Sequence, residues 1–262
     1  MAYLQMGDGR DLWYEDRGRG QPVVFLHGWK ASARVYAPAI SRLEGQYRCI
    51  SYDHCGHMRS QVPERAPDLG VLAEDLREVI CRLKLERPIL VGWSMGGMTV
   101  LEYLRRYGCE ELDRIVLVDI GPYKLTPLPQ LAEEVALARK DFHEFMRQYY
   151  TRRIPGFPAL TKAEQDSLIA ARMEGHTPSV LTGLWESFCR RDHRDVLPAI
   201  TCPTAIFYAG IMPVCDAEAV EIYKAAITAP SRYVCFEDCS HSLITEAPER
   251  FVRELQTFFR EL

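Results

Sequence analysis

Short uninterrupted apolar runs alternate along the chain with longer stretches whose apolar positions recur at helical spacing. Pro22-Val23-Val24-Phe25-Leu26 has no polar break, the pattern of a strand buried on both faces. Arg48 to Tyr52, Arg87 to Val91, Arg114 to Val118, Thr204 to Tyr208 and Arg232 to Phe236 also read as strands. Between them, Leu72, Leu76, Val79, Ile80 and Leu83 step by three and four and predict an amphipathic helix over Leu69 to Arg82. Ala33 to Leu43, Met98 to Leu104, Ala217 to Ala226 and Pro248 to Arg260 also read as helices. Such alternation predicts an α/β fold, a mostly parallel central sheet with helices on both faces and ligands at the carboxyl ends of its strands. Tyr3 to Met6 and Leu12 to Asp16 flank the turn residues Gly7-Asp8-Gly9-Arg10, so the chain is expected to open with a hairpin.

After Gly121-Pro122 the strand rhythm stops. Leu131 to Tyr150, Thr161 to Met173 and Pro178 to Arg190 read as three helices with no strand between them. The expected organisation is therefore a core in two parts, 1–121 and 197–262, interrupted by a helical insertion at 122–196.

At 262 residues and 47% hydrophobic, the chain can bury a large core in one domain. A formal net charge of -4, with acidic and basic residues interleaved, gives no electrostatic case for a nucleic-acid partner. No basic segment followed by an apolar one opens the sequence and no apolar run reaches membrane-spanning length, so a cytoplasmic protein without a membrane partner is expected. The nine cysteines are scattered, with no C-x-x-C pair, which favours reduced thiols. Cys235, Cys239 and His241 lie close together but lack a second ligand pair, so no metal is expected, and no motif calls for a cofactor.

The chemistry concentrates at Gly92-Trp93-Ser94-Met95-Gly96-Gly97, between an apolar run and a helical pattern. G-x-S-x-G in a strand, turn, helix context is a nucleophile elbow, which exposes the serine oxygen on a strained turn. A phosphate-cradling turn is the alternative, but the glycines of that loop are missing. His241 lies in the loop after the last predicted strand, placed to swing over the sheet edge as the base for Ser94; otherwise it is a surface histidine. Gly28 lets the loop after Leu26 approach closely, so the Trp29 amide is expected to face a developing oxyanion, with the Met95 amide as second donor. His27 is expected to hold that loop through hydrogen bonds rather than to react.

With these motifs the chain resembles the α/β-hydrolase family along its whole length: His27-Gly28-Trp29 matches the oxyanion loop, Gly92 to Gly97 the elbow, and Cys239-Ser240-His241 with Glu246-Ala247-Pro248-Glu249 the histidine segment. The resemblance implies that the helical insertion is the family's cap over the pocket. Asp53-His54-Cys55-Gly56-His57-Met58-Arg59-Ser60 is similar to the family's Asp-x-Arg-Gly-x-Gly-x-Ser loop, but has Cys55 for the arginine and Met58 for a glycine. Serine rather than aspartate in the elbow sets the chain apart from the family's haloalkane dehalogenases and epoxide hydrolases. It is similar to carboxylesterases that cleave acyl methyl esters and to cofactor-free perhydrolases.

The resemblance therefore implies hydrolysis of a small carboxylic ester, thioester or lactone through an acyl-enzyme at Ser94. A ligand receptor with slow turnover and a carbon–carbon bond hydrolase are the alternatives. Family members commonly carry the acid of the triad in a Gly-x-x-Asp turn, but here that turn reads Gly210-Ile211-Met212-Pro213. Asp119, ending the Ile115 to Val118 strand, is the expected acid, as in a subset of the family. Asp216 is the alternative acid, or else the N-cap of the helix after it. Arg152-Arg153 and Arg190-Arg191 are either surface charge or a dock for an acidic acyl-carrier partner.

Overall fold

The computed structural model describes residues 2–124 and 126–261. Strands β1 (Ala2–Gln5) and β2 (Asp11–Arg17) form the expected hairpin, closed by Met6 N–H donating to the Arg10 carbonyl at 2.8 Å. There follow β3 (Gln21–Leu26), α1 (Ala37–Leu43), β4 (Tyr47–Tyr52), α2 (Leu69–Arg82), β5 (Ile89–Trp93), α3 (Met95–Tyr107) and β6 (Arg114–Val118). Four helices come next, α4 (Leu128–Lys140), α5 (Phe142–Arg153), α6 (Lys162–Met173) and α7 (Pro178–Phe188). The chain then returns to the sheet with β7 (Thr204–Ala209), α8 (Ala217–Ala226), β8 (Ser231–Phe236), α9 (Leu243–Glu246) and α10 (Pro248–Arg260).

The sheet has eight strands in the order β1-β2-β4-β3-β5-β6-β7-β8. β1 and β2 pair antiparallel and every pair from β4 to β8 is parallel. Alternation along β3 divides its apolar residues between two cores. Val24 and Leu26 join α2, α3 and the four inserted helices on one face, while Val23 and Phe25 join α1 and α10 on the other. On α10, Phe251, Val252, Leu255, Phe258 and Phe259 form the buried stripe.

Two expected helices differ in detail. Leu131 to Tyr150 is two helices because the Asp141 side chain accepts from the Glu144 amide at 2.9 Å and starts α5 anew. Ala33 to Leu43 begins as a 3-10 turn over Ala33–Tyr36, and α1 starts only at Ala37, with Pro38 in its first turn.

Two joints tie the four inserted helices to the sheet. At the base, Tyr123 bridges Asp192 and the His193 amide donates to the Pro122 carbonyl at 2.8 Å. Farther out, the loop after β4 bridges the α6–α7 turn through His57 and His176. Among the described residues, no helix is long and apolar enough to cross a membrane.

Candidate active site

Ser94 stands between β5 and α3 with φ 54° and ψ -120°, a left-handed conformation that costs a non-glycine residue roughly 1–3 kcal/mol. The surroundings enforce it: the Ser94 amide donates to the Val118 carbonyl at 2.9 Å, and its own carbonyl accepts from Gly97 and Met98. Small residues make the turn possible, since a Cβ on Gly96 would collide with the Leu26 backbone, and one on Gly28 would sit 3.2 Å from the Ser94 Cβ. Gly28 thus brings the loop after β3 directly against the serine.

His241 lies in the loop between β8 and α9. Its Nε2 is 3.0 Å from Ser94 Oγ and its Nδ1 is 2.6 Å from Asp119 Oδ2. With a carboxylate facing Nδ1, that nitrogen carries the proton and donates, which leaves Nε2 to accept from the serine hydroxyl. Ser240 and Glu246 brace the same loop, the Ser240 amide donating to the Glu246 carboxylate at 2.6 Å. The Trp93 indole donates to the His241 carbonyl at 2.8 Å.

Asp119 is fully buried at the end of β6 with φ 43°. Its carboxylate accepts from the amides of Ala209, Val214 and Cys215 at 3.2, 3.1 and 3.2 Å. Burial opposes its ionisation, but the bond and charge of His241 and the amides outweigh it and hold the carboxyl below its ordinary value. The loop after β7, which lacks a carboxylate at Gly210 to Pro213, instead delivers amides to Asp119. Asp216 is the N-cap of α8, accepting from the Ala219 amide at 2.9 Å, and makes no hydrogen bond to His241 among the described residues.

The Trp29 amide follows Gly28, and the Met95 amide is the first of α3, where no intrahelical acceptor exists for it. His27 holds its loop: Nδ1 is 2.8 Å from the Gly28 carbonyl and Nε2 accepts from the His54 amide at 2.9 Å. Its ring is packed edgewise on His54 and His57, and burial pulls its pKa down to about 3.

Above the serine loop, the Trp29 ring lies against Trp185, Tyr149, Phe188 and Phe145 from α5 and α7, at 5.0, 5.4, 6.1 and 6.4 Å between centroids. The Trp29 indole donates to the Leu181 carbonyl at 3.0 Å. Two residues here, Trp93 and Lys30, have settings that the local sequence does not signal. Trp93 carries no signal beyond its place in the elbow, because its partner is 148 residues away. Lys30 reads as an ordinary loop lysine until α5 is folded over it.

The family described as alpha/beta hydrolase fold matches residues 21–157. The pimeloyl-[acyl-carrier protein] methyl ester esterase of Vibrio vulnificus is 26% identical over 95% of this chain and 98% of that protein. The bifunctional esterase/perhydrolase of Acinetobacter calcoaceticus is 25% identical over 99% of this chain and 100% of its own. Among solved structures, an esterase from Exiguobacterium antarcticum superposes with a TM-score of 0.83 at 25% identity, covering 99% of both chains.

Proposed function

The chain belongs to the alpha/beta hydrolase fold family, and from that premise we propose that it hydrolyses small carboxylic esters, thioesters or lactones through an acyl-enzyme on Ser94. The observation that carries this reading is the unbroken run from Asp119 through His241 to Ser94, with contacts of 2.6 and 3.0 Å. His241 Nε2 takes the hydroxyl proton as Ser94 Oγ bonds to the ester carbonyl carbon, and Asp119 stabilises the imidazolium that forms. The carbonyl oxygen becomes an oxyanion facing the Trp29 and Met95 amides. Each such donor contributes about 3 kcal/mol in comparable sites. As the tetrahedral centre collapses, the bond to the alcohol oxygen breaks and His241 returns the proton to it. Water then attacks the acyl-serine by the same route, releasing the acid and restoring the hydroxyl.

The helices between β6 and β7 are proposed to act as a cap. The aromatic wall of Phe145, Tyr149, Trp185 and Phe188 over Trp29 supports an apolar lining for the acyl group. The Vibrio relative's name extends the chemistry to a carrier-borne methyl ester. Arg152 is engaged by Glu134, Arg190 lies 3.9 Å from Glu186 and Arg191 3.9 Å from Glu102, so only Arg153 of the two pairs is without a carboxylate partner among the described residues, and small esters are the substrate class proposed.

The test is turnover of short-chain p-nitrophenyl esters by wild type and Ser94→Ala, with mass spectrometry for an acyl group on the Ser94 peptide. Loss of turnover and of the adduct in the variant is expected. Retained turnover overturns the assignment.

A further inference from the structure

Lys30 follows Trp29, has a left-handed backbone with φ 49°, and is only partly exposed. Its ammonium lies 4.9, 5.4 and 5.9 Å from the ring centroids of Tyr150, Tyr149 and Trp29. Two more cations converge on the same tyrosines. The Arg153 guanidinium is 5.6 Å from the Tyr149 ring and that of Arg172 is 5.4 Å from the Tyr150 ring. Among the described residues no carboxylate forms an ion pair with Lys30, Arg153 or Arg172.

The contrast with neighbouring arginines is local. On the same helix, Arg147 is paired with Glu144 and Asp166, and Arg152 with Glu134. The ring faces hold this half-buried ammonium but do not neutralise it, and further cations beside it make its charge less favourable. Burial first, then Arg172 and Arg153, pull Lys30 down to about 7, and His176 beside it is lowered to about 4, by burial first and then by Lys30. A group held in this way is stabilised by an arriving anion. The exposed Arg153 and Arg172 add positive charge beside the same tyrosines, which attracts an anion.

We propose that Lys30, with Arg153 and Arg172 around it, is a subsite for a carboxylate carried by the substrate, so that the preferred esters are anionic. This rests on the assignment of Ser94 as nucleophile: Lys30 belongs to the loop after β3, whose Gly28 packs against Ser94. Ion pairing with Lys30 adds to binding only when the ester carries the charge. The aromatic wall is shared by neutral and anionic esters alike.

The experiment compares kcat/KM for two matched pairs. In one the carboxylate is on the acyl side, monomethyl adipate against methyl hexanoate. In the other it is on the alcohol side, the acetate ester of glycolate against ethyl acetate. Wild type should favour the anionic member of one pair, and which pair responds identifies the side that reaches Lys30. Lys30→Gln should lower that anionic-to-neutral ratio by about tenfold, through KM, and Lys30→Arg should restore most of it. Added salt should lower the ratio, and so should raising pH through about 7, where the ammonium loses its proton; the facing groups are Tyr149, Tyr150 and Arg153 of α5 together with Arg172 and His176. Should Lys30→Gln not fold, the surface double variant Arg153→Gln, Arg172→Gln reads the same ratio and should also lower it. Equal ratios in wild type and these variants would overturn the subsite while leaving Ser94 in place. If wild type cleaves none of the four esters, the failure lies with the esterase reading instead.

Discussion

The indole N–H of Trp93 donates to the backbone carbonyl of His241 at 2.8 Å, so the residue immediately before Ser94 holds the loop that carries the histidine. The two rings also lie 5.3 Å apart, tilted by 38°. Trp93→Phe keeps most of the ring contact and removes the donor. The expected result is a fall in kcat of about tenfold with little change in KM, because the loss is in the alignment of Nε2 with Ser94 rather than in substrate contact. Steady-state kinetics on a short-chain ester check this, and an unchanged kcat would show that the other braces of the loop suffice.

Asp119 and Asp216 are separated by the same assay. Asp119 accepts from His241 and three amides, whereas Asp216 accepts from the Ala219 amide at the head of α8. Asp119→Asn should cut kcat by about 10⁴, as loss of the orienting carboxylate does in another triad. Asp216→Asn keeps a capping oxygen and should leave kcat within about twofold, and Asp216→Ala should lower stability by about 1 kcal/mol. The opposite ranking would transfer the role to Asp216.

The strands and most helices were legible because their burial pattern is local. Leu69 to Arg82, Ala217 to Ala226 and Pro248 to Arg260 have the bounds that apolar spacing predicts. The break at Asp141 is marked in the sequence only by Asp141-x-x-Glu144, a helix-start pattern easily overlooked because apolar residues continue in helical phase on both sides; the side-chain bond from the Glu144 amide starts the new helix. Ser94, His241 and Asp119 were legible as candidates from their places at strand ends. Their mutual distances, and the amides that the Gly210 loop delivers to Asp119, depend on segments far apart in sequence. Lys30 was not legible at all, since its setting is made by Tyr149 and Tyr150.

Glu102 predicts a pH-dependent stability. This buried α3 carboxylate accepts from Arg106 at 3.0 Å and from His193 at 3.1 Å, and lies 3.9 Å from Arg191. Burial opposes its ionisation, yet His193, Arg106 and Arg191 hold it at about 2, while burial keeps His193 below its own usual value. The guanidinium groups of Arg105, Arg106 and Arg191 supply the opposing charge. Since the folded value lies below the unfolded one, the stabilisation is complete above the model-peptide value of 4.5 and disappears as pH falls towards about 2. Glu102→Gln should lower unfolding free energy by on the order of 2 kcal/mol at neutral pH, and the gap to wild type should close below about pH 4. Denaturant melts across that range provide the measurement. A pH-independent gap would mean that shape rather than charge is lost.

The last prediction concerns Met58, which stands where the family's loop has a glycine. Its amide donates to the Gly175 carbonyl at 2.6 Å, and its backbone, at φ 47°, keeps the left-handed form that a glycine would adopt freely. A Cβ on Gly175, itself at φ 75°, would fall 2.6 Å from the Met58 sulfur. The departure at Met58 is thus matched by the glycine in the α6–α7 turn, and together they join the inserted helices to the loop after β4. Gly175→Ala should destabilise the protein for two separate reasons, the left-handed backbone and the collision with Met58. The backbone effect, about 1 kcal/mol, should persist whatever residue is at 58. The collision should vanish in a Met58→Gly background, so a double-mutant cycle should return a coupling of roughly 1 kcal/mol. Equal costs of Gly175→Ala in both backgrounds would show that the methionine yields without strain and that the joint rests on the backbone bond alone.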